Sequence, residues 1–278
     1  MTPARPPGSD ALGETLAYYR DLGVAELYLD ERSEEHEDFS ANVNRARENA
    51  VAGSAAAAKA APTALFTFEE NAPHPAASLA ARSASTLELQ SLAKEVSSCV
   101  KCRLCKTRKQ TVFADGSSTA RIMFIGEAPG ADEDAQGVPF VGRAGQLLTR
   151  MIEDGMGLPR SSVYIANVLK CRPPENRNPE PDEIASCRGY LENQIDLVKP
   201  EVLVALGKFA AHFLLETEEG ITRLRGKWGS YRGIPVMPTL HPSYLLRQPA
   251  QKKEAWEDLL AVLARLGIGA PARKGKQP

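Results

Sequence analysis

The chain has 278 residues, with 34 basic and 35 acidic side chains for a formal charge of −1, 43% hydrophobic residues and five cysteines. This composition fits a water-soluble chain with room for one large domain or two small ones, and it excludes collagen, coiled coil and a small disulfide framework. No apolar run approaches the ~20 residues needed to span a bilayer, and residues 1–7 lead into no hydrophobic signal region, which predicts a cytoplasmic protein without a membrane partner.

The net charge conceals an asymmetry. Residues 1–85 carry 7 basic and 13 acidic side chains, a net of −6, which leaves 27 basic and 22 acidic side chains, a net of +5, for residues 86–278. The sequence is an acidic leader joined to a moderately basic body, so a nucleic-acid partner is not excluded.

In the leader, Asp10 is placed to cap a helix over 11–29, along which Leu12, Leu16, Tyr19, Leu22 and Leu27 recur at loosely helical spacing. Two readings stay open for it: a docking element for a partner protein, in the helix-in-groove mode, or a marginal helix of an extension. Acid-rich residues 31–38 and the alanine- and proline-rich tract after them bury too little apolar surface to offset their ordering entropy, so 31–85 reads as a disordered linker. Thr86 offers a cap for a new helix whose apolar positions include Leu92 and Val96. The domain boundaries follow: extension 1–85, globular domain 86–268, basic disordered tail 269–278.

Cys99 and Cys102 form a C-x2-C pair with Cys105 close behind, and Cys171 and Cys187 lie far downstream. In a reducing compartment a metal centre is a stronger reading than disulfides. Four thiolates suit a tetrahedral zinc or an iron–sulfur cluster, and spacing alone does not choose between them. One thiol is left over, either Cys99 or Cys105.

From residue 121 short apolar runs alternate with helical patterns. Residues 121–126, 163–169, 202–207 and 236–240 read as buried strands, and helices are expected near 143–155, 181–198, 208–215 and 253–266. Continuous apolar strands between helices imply a mainly parallel sheet covered on both faces. Ligands of such sheets bind at the carboxyl ends of the strands. That rule gathers Gly126-Glu127-Ala128-Pro129-Gly130, Asn167 and His241 into one candidate site. The glycine-rich turn is no phosphate loop of the nucleotide-hydrolase kind, because no Gly-Lys-Ser/Thr follows it.

Four motifs carry a resemblance: Gly126-Glu127-Ala128-Pro129-Gly130-Ala131-Asp132-Glu133-Asp134, Gly137-Val138-Pro139-Phe140-Val141-Gly142-Arg143-Ala144-Gly145, Asn167-Val168-Leu169-Lys170-Cys171-Arg172-Pro173-Pro174 and His241-Pro242-Ser243-Tyr244-Leu245-Leu246-Arg247. In this order they closely resemble the family 4 uracil-DNA glycosylases, from about residue 99 to 266. The resemblance implies a three-layer α/β/α sandwich around a short parallel sheet. It further implies a [4Fe-4S] cluster held by Cys99, Cys102, Cys171 and Cys187, with Cys105 spare, and a monomeric enzyme acting on single- or double-stranded uracil-containing DNA. The implied reaction flips uracil from the stack and hydrolyses its N-glycosidic bond to leave an abasic site.

The resemblance also assigns roles. Gly126, Glu127, Ala128, Phe140, Asn167 and His241 would bind the base: Phe140 stacks on it, and Asn167 accepts from N3–H while donating to O4. Glu127 and His241 would be catalytic, one positioning water and supporting an oxocarbenium-like sugar, the other donating to uracil O2. Leu245, Leu246 and Arg247 resemble a loop that wedges into the duplex, and Glu133 is a candidate for excluding the thymine methyl group. Lys101, Arg103, Arg108, Lys170, Arg172, Arg177, Arg225 and Lys227 form a candidate phosphate-contacting group. A related branch places a covalently reactive His in a loop after the strand-end Asn; residues 171–177 contain none, which predicts turnover. The competing reading is a metal-stapled nucleic-acid-binding module without glycosylase activity.

Overall fold

A computed structural model describes residues 79–271. The expected helix at 11–29, the expected linker before residue 79 and the tail beyond 271 lie outside the described residues. The elements in chain order are α1 (Leu79–Ser97), β1 (Asp115–Gly116), β2 (Ile122–Gly126), α2 (Ala131–Gln136), α3 (Arg143–Arg150), β3 (Tyr164–Asn167), α4 (Pro181–Val198), β4 (Val202–Leu206), α5 (Lys208–Leu215), α6 (Ile221–Leu224), β5 (Gly229–Tyr231), β6 (Ile234–Thr239), α7 (Pro242–Arg247) and α8 (Lys252–Arg265). Among the described residues no helix is long and apolar enough to cross a membrane.

The strands form one six-stranded sheet in the order β1-β3-β2-β4-β6-β5. The four inner strands run parallel; β1 and β5 close the two edges antiparallel. Both faces are covered, and the alternation of side chains along each strand assigns the layers. Met123, Ile125, Ala166, Leu203, Ala205 and Val236 pack with Leu89 of α1, Leu191 and Ile195 of α4 and Phe213 of α5. Ile122, Phe124, Ile165, Val202, Val204 and Met237 pack with Leu148 of α3, Ile152 and Leu259 and Val262 of α8. This is the covered, mainly parallel sheet expected from the alternating pattern and the three-layer α/β/α sandwich that the resemblance implies.

Local chemistry explains the helix limits. α4 begins at Glu180 with Pro181 in its first turn and a reciprocal capping pair between Glu180 and Glu183, and it ends where Lys199 turns left-handed before Pro200. β5 and β6 join through Arg232 (φ 48°) and Gly233 (φ 82°), the two left-handed residues that a tight hairpin needs. One expectation needs correction. α1 starts at Leu79, not Thr86, because the alanine-rich stretch read as linker favours helix and continues the turn upstream. Thr86 sits inside the helix, with its Oγ1 2.8 Å from Ser118 Oγ.

Candidate active site

The carboxyl ends of β2 and β3 meet at Gly126 and Asn167, which are register partners. A side chain on Gly126 would collide with Asn167 Oδ1 and come within 2.5 Å of Phe140 Cζ, so the three residues enclose one space and only glycine leaves it open. Asn167 is 2% exposed, and its Oδ1 has no hydrogen-bond partner. Such an orphan acceptor costs about 1–3 kcal/mol, which a bound donor would recover.

Phe140 is also buried and adopts φ 55°, the left-handed region that an aromatic residue rarely visits. Its main chain lies so close to Gly145 of α3 that no Cβ fits there. Its ring centroid is 5.7 Å from that of His241, at an interplanar angle of 35°.

His241 caps α7: its Nδ1 accepts from the Ser243 main-chain N–H at 3.1 Å. Nδ1 is therefore an acceptor, and the single proton of the neutral ring resides on Nε2. Burial, reinforced by Arg247 and opposed by Glu133, pushes the His241 pKa down to about 4. A side chain at Gly207, after β4, would strike His241 Cβ at 2.8 Å, so the ring is seated against the neighbouring strand end as well. Glu127 is half-buried at the same rim, and burial pushes its pKa up to about 7. The side chain of Ala128 packs toward the cysteine cluster, leaving its main chain for the pocket.

Three assignments change. Glu133 accepts from Gly130 N at 3.0 Å, Val141 N at 3.0 Å and Gly142 N at 2.9 Å, so its carboxylate is a brace between two loops of the site, a role that its sequence position did not reveal. Leu245 is completely buried with Leu147, Leu240 and Ala255, because the supposed wedge segment is the helix α7; Leu246 is half-buried and Arg247 exposed. Leu245→Ala should therefore cost about 2–5 kcal/mol in urea unfolding while the folded fraction keeps its activity; a wedge residue would do the reverse.

The phosphate-contacting group also divides. Lys170 is 1% exposed and donates through Nζ to Asn167 O at 2.8 Å and Gln194 Oε1 at 2.5 Å. Arg225 pairs with Asp258 at 2.8 Å, Arg177 with Glu183 at 2.5 Å, and Arg103 with Glu180 and Asp182. Arg143 and Lys208, exposed at the first turns of α3 and α5, stand at the strand-end rim and were not singled out from sequence, where charge alone does not reveal pairing.

All five cysteines line one cavity with Arg108, Lys170 and Tyr190. Main-chain and side-chain donors converge on them: Lys170 N on Cys187 Sγ at 3.3 Å, Arg108 Nη1 on Cys171 Sγ at 3.2 Å, Lys101 N on Cys99 Sγ at 3.5 Å. Burial pushes the Cys171 thiol up to about 11, against the pull of Arg108, and also raises Cys187 and Cys102. Among the described residues no three His, Cys, Asp or Glu side chains are gathered so as to hold a metal ion.

A sheet of this order with Gly126, Phe140, Asn167 and His241 gathered at its strand ends defines the class, and the family model "Uracil DNA glycosylase superfamily" matches residues 113–260. The chain is 46% identical over 182 residues to the type-4 uracil-DNA glycosylase of Saccharolobus solfataricus, covering 63% of this chain and 84% of that protein. It is 45% identical over 163 residues to the type-4 enzyme of Thermotoga maritima, covering 57% of this chain and 83% of that protein. A type-5 uracil-DNA glycosylase of Pyrobaculum aerophilum is 30% identical over 148 residues, with 47% of this chain and 64% of that protein covered. The chain belongs to the type-4 uracil-DNA glycosylase family.

Proposed function

We propose that the protein excises uracil from DNA by hydrolysing its N-glycosidic bond, as a monofunctional glycosylase. The observation that carries this reading is the buried, unpartnered Asn167 Oδ1 beside Gly126 and Phe140. A flipped uracil offers N3–H to that oxygen and takes a hydrogen bond at O4 from the same amide; cytosine presents the opposite pattern and leaves both groups unpaired. Phe140 stacks on the ring. His241 Nε2–H, neutral at physiological pH, donates to O2 as negative charge develops there. The Glu127 carboxylate holds the water and supports the cationic sugar.

The shared cysteine cavity supports a metal centre of sulfur ligands. Four thiolates around one cavity suit either group by ligand chemistry, a single zinc or an iron–sulfur cluster, and the resemblance to the family 4 enzymes favours the cluster. The buried ammonium of Lys170, with neutral hydrogen-bond partners and two thiols beside it, provides a counter-charge for an anionic centre. Cys99, Cys102, Cys171 and Cys187 would hold a [4Fe-4S] cluster, with Cys105 at the same cavity. Such a group would staple the segment after α1 to the loop after β3 and to α4.

The test is incubation with single- and double-stranded oligonucleotides containing one uracil, followed by alkaline cleavage. Strand scission at that position is expected, and its absence would overturn the enzyme reading in favour of a binding module. Broad visible absorption of the purified protein, as expected for an iron–sulfur group, tests the cluster; a colourless zinc protein would refute it.

A further inference from the structure

Arg160 lies in none of the four motifs. It occupies a single 3-10 turn, Arg160–Ser162, before β3, and its side chain is only 17% exposed. Its guanidinium is divided among three acceptors on three segments: Nε to Asp115 Oδ2 of β1 at 2.9 Å, Nη1 to Thr149 Oγ1 of α3 at 2.8 Å, and Nη2 to the Pro139 carbonyl at 2.8 Å.

The third contact matters most. The Pro139 carbonyl belongs to the peptide plane whose rotation is the φ of Phe140. The Val141 N–H, held by Glu133 at 3.0 Å, belongs to the peptide plane that sets its ψ. Arg160 and Glu133 therefore pin the two planes on either side of a residue whose φ of 55° an aromatic side chain does not choose unaided. Thr149 extends the same support: its hydroxyl donates to Gly145 O at 3.1 Å, and Gly145 is the residue on which the Phe140 main chain rests. The planar guanidinium spreads its donors over three nitrogens and so reaches three separated acceptors, whereas a lysine carries all its donors on one nitrogen.

We propose that Arg160 is a positioning residue for base recognition: it holds Phe140 in the left-handed conformation that presents the ring to a flipped uracil. The proposal rests on the reading of Phe140 as the stacking surface. Phe140 itself touches the base, and Arg160 acts through it.

The experiment uses the full chain and inhibition by free uracil beside steady-state excision. Arg160→Met and Arg160→Lys should each raise the uracil inhibition constant and KM by about tenfold, the loss of one charge-assisted hydrogen bond's worth of alignment, with affinity for abasic-site DNA unchanged. Arg160→Lys keeps a cation opposite Asp115 and so protects the fold should the Met variant fail. Asp115→Asn removes the bridge to β1 alone; it should lower the melting temperature yet leave uracil inhibition within about twofold. In a Phe140→Ala background, adding Arg160→Lys should change uracil inhibition by less than about twofold, because residues acting through one another are not additive. Uracil inhibition unchanged in both Arg160 variants, full additivity with Phe140→Ala, or an equal defect in Asp115→Asn would overturn the proposal. Failure of the wild-type chain to release uracil would instead overturn the functional reading on which it stands.

Discussion

Asn167→Ala will lower kcat/KM for uracil excision by about thirty-fold to twenty-thousand-fold, the range set by two lost buried pairings at roughly 1–3 kcal/mol each. The reason is geometric. Asn167 ends β3 in register with Gly126, its main chain is held by the Lys170 ammonium on its carbonyl at 2.8 Å, and its side chain is buried against Gly126. Its Oδ1 is left without a donor in the free protein, which stores the cost of an unmade hydrogen bond until the base supplies N3–H. The substitution removes both the acceptor for N3–H and the donor for O4, and it opens a void beside Phe140. Because the orphan is relieved in the free enzyme, thermal stability should hold or rise while activity falls. Single-turnover excision from a uracil-containing duplex, set beside a melting curve, checks both halves. A rate within threefold of the unsubstituted chain would show that the base is read elsewhere.

The central sheet was legible because its strands are apolar on both faces: residues 122–126 and 202–206 are buried throughout and interrupted by no charge. Gly126, Asn167 and His241 followed from the strand-end rule and Phe140 from the resemblance, and the four do converge. What escaped had physical causes. β1 is Asp115-Gly116, two residues whose edge pairing leaves no hydrophobic trace. Leu245-Leu246 looks the same in sequence as a wedge or as a packed helix, and the choice is made by Leu147, Leu240 and Ala255, which are distant in the chain or belong to other elements. The charge of Lys170 reads as surface, yet its ammonium is buried on main-chain and amide oxygens. Arg160 was invisible because its key partner is a carbonyl, which every residue has.

His241→Ala will reduce the maximal rate by about a hundred- to a thousand-fold, as for removal of one preorganised oxyanion donor worth roughly 3–4 kcal/mol. The pH profile separates its role from that of Glu127. With its pKa pushed down to about 4 by burial, His241 is neutral throughout pH 5–9 and contributes a donor whose strength does not vary across that window. Glu127, pushed up to about 7 by burial, is protonated below that value and carries its charge above it. The rate should therefore climb about tenfold per pH unit below 7, as for one required deprotonation, and level off above it. Nothing in the pocket then makes it fall again through the ordinary histidine range. His241→Ala should lower the plateau and keep the acid limb, since the titrating group is untouched. Glu127→Gln should flatten that limb, because no carboxylate remains to ionise. An imidazolium acting as general acid would instead give a rate that declines with rising pH and loses that decline on substitution. Single-turnover rates for the three proteins from pH 5 to 9 decide between a neutral imidazole that stabilises the departing uracil anion and a charged one that protonates it.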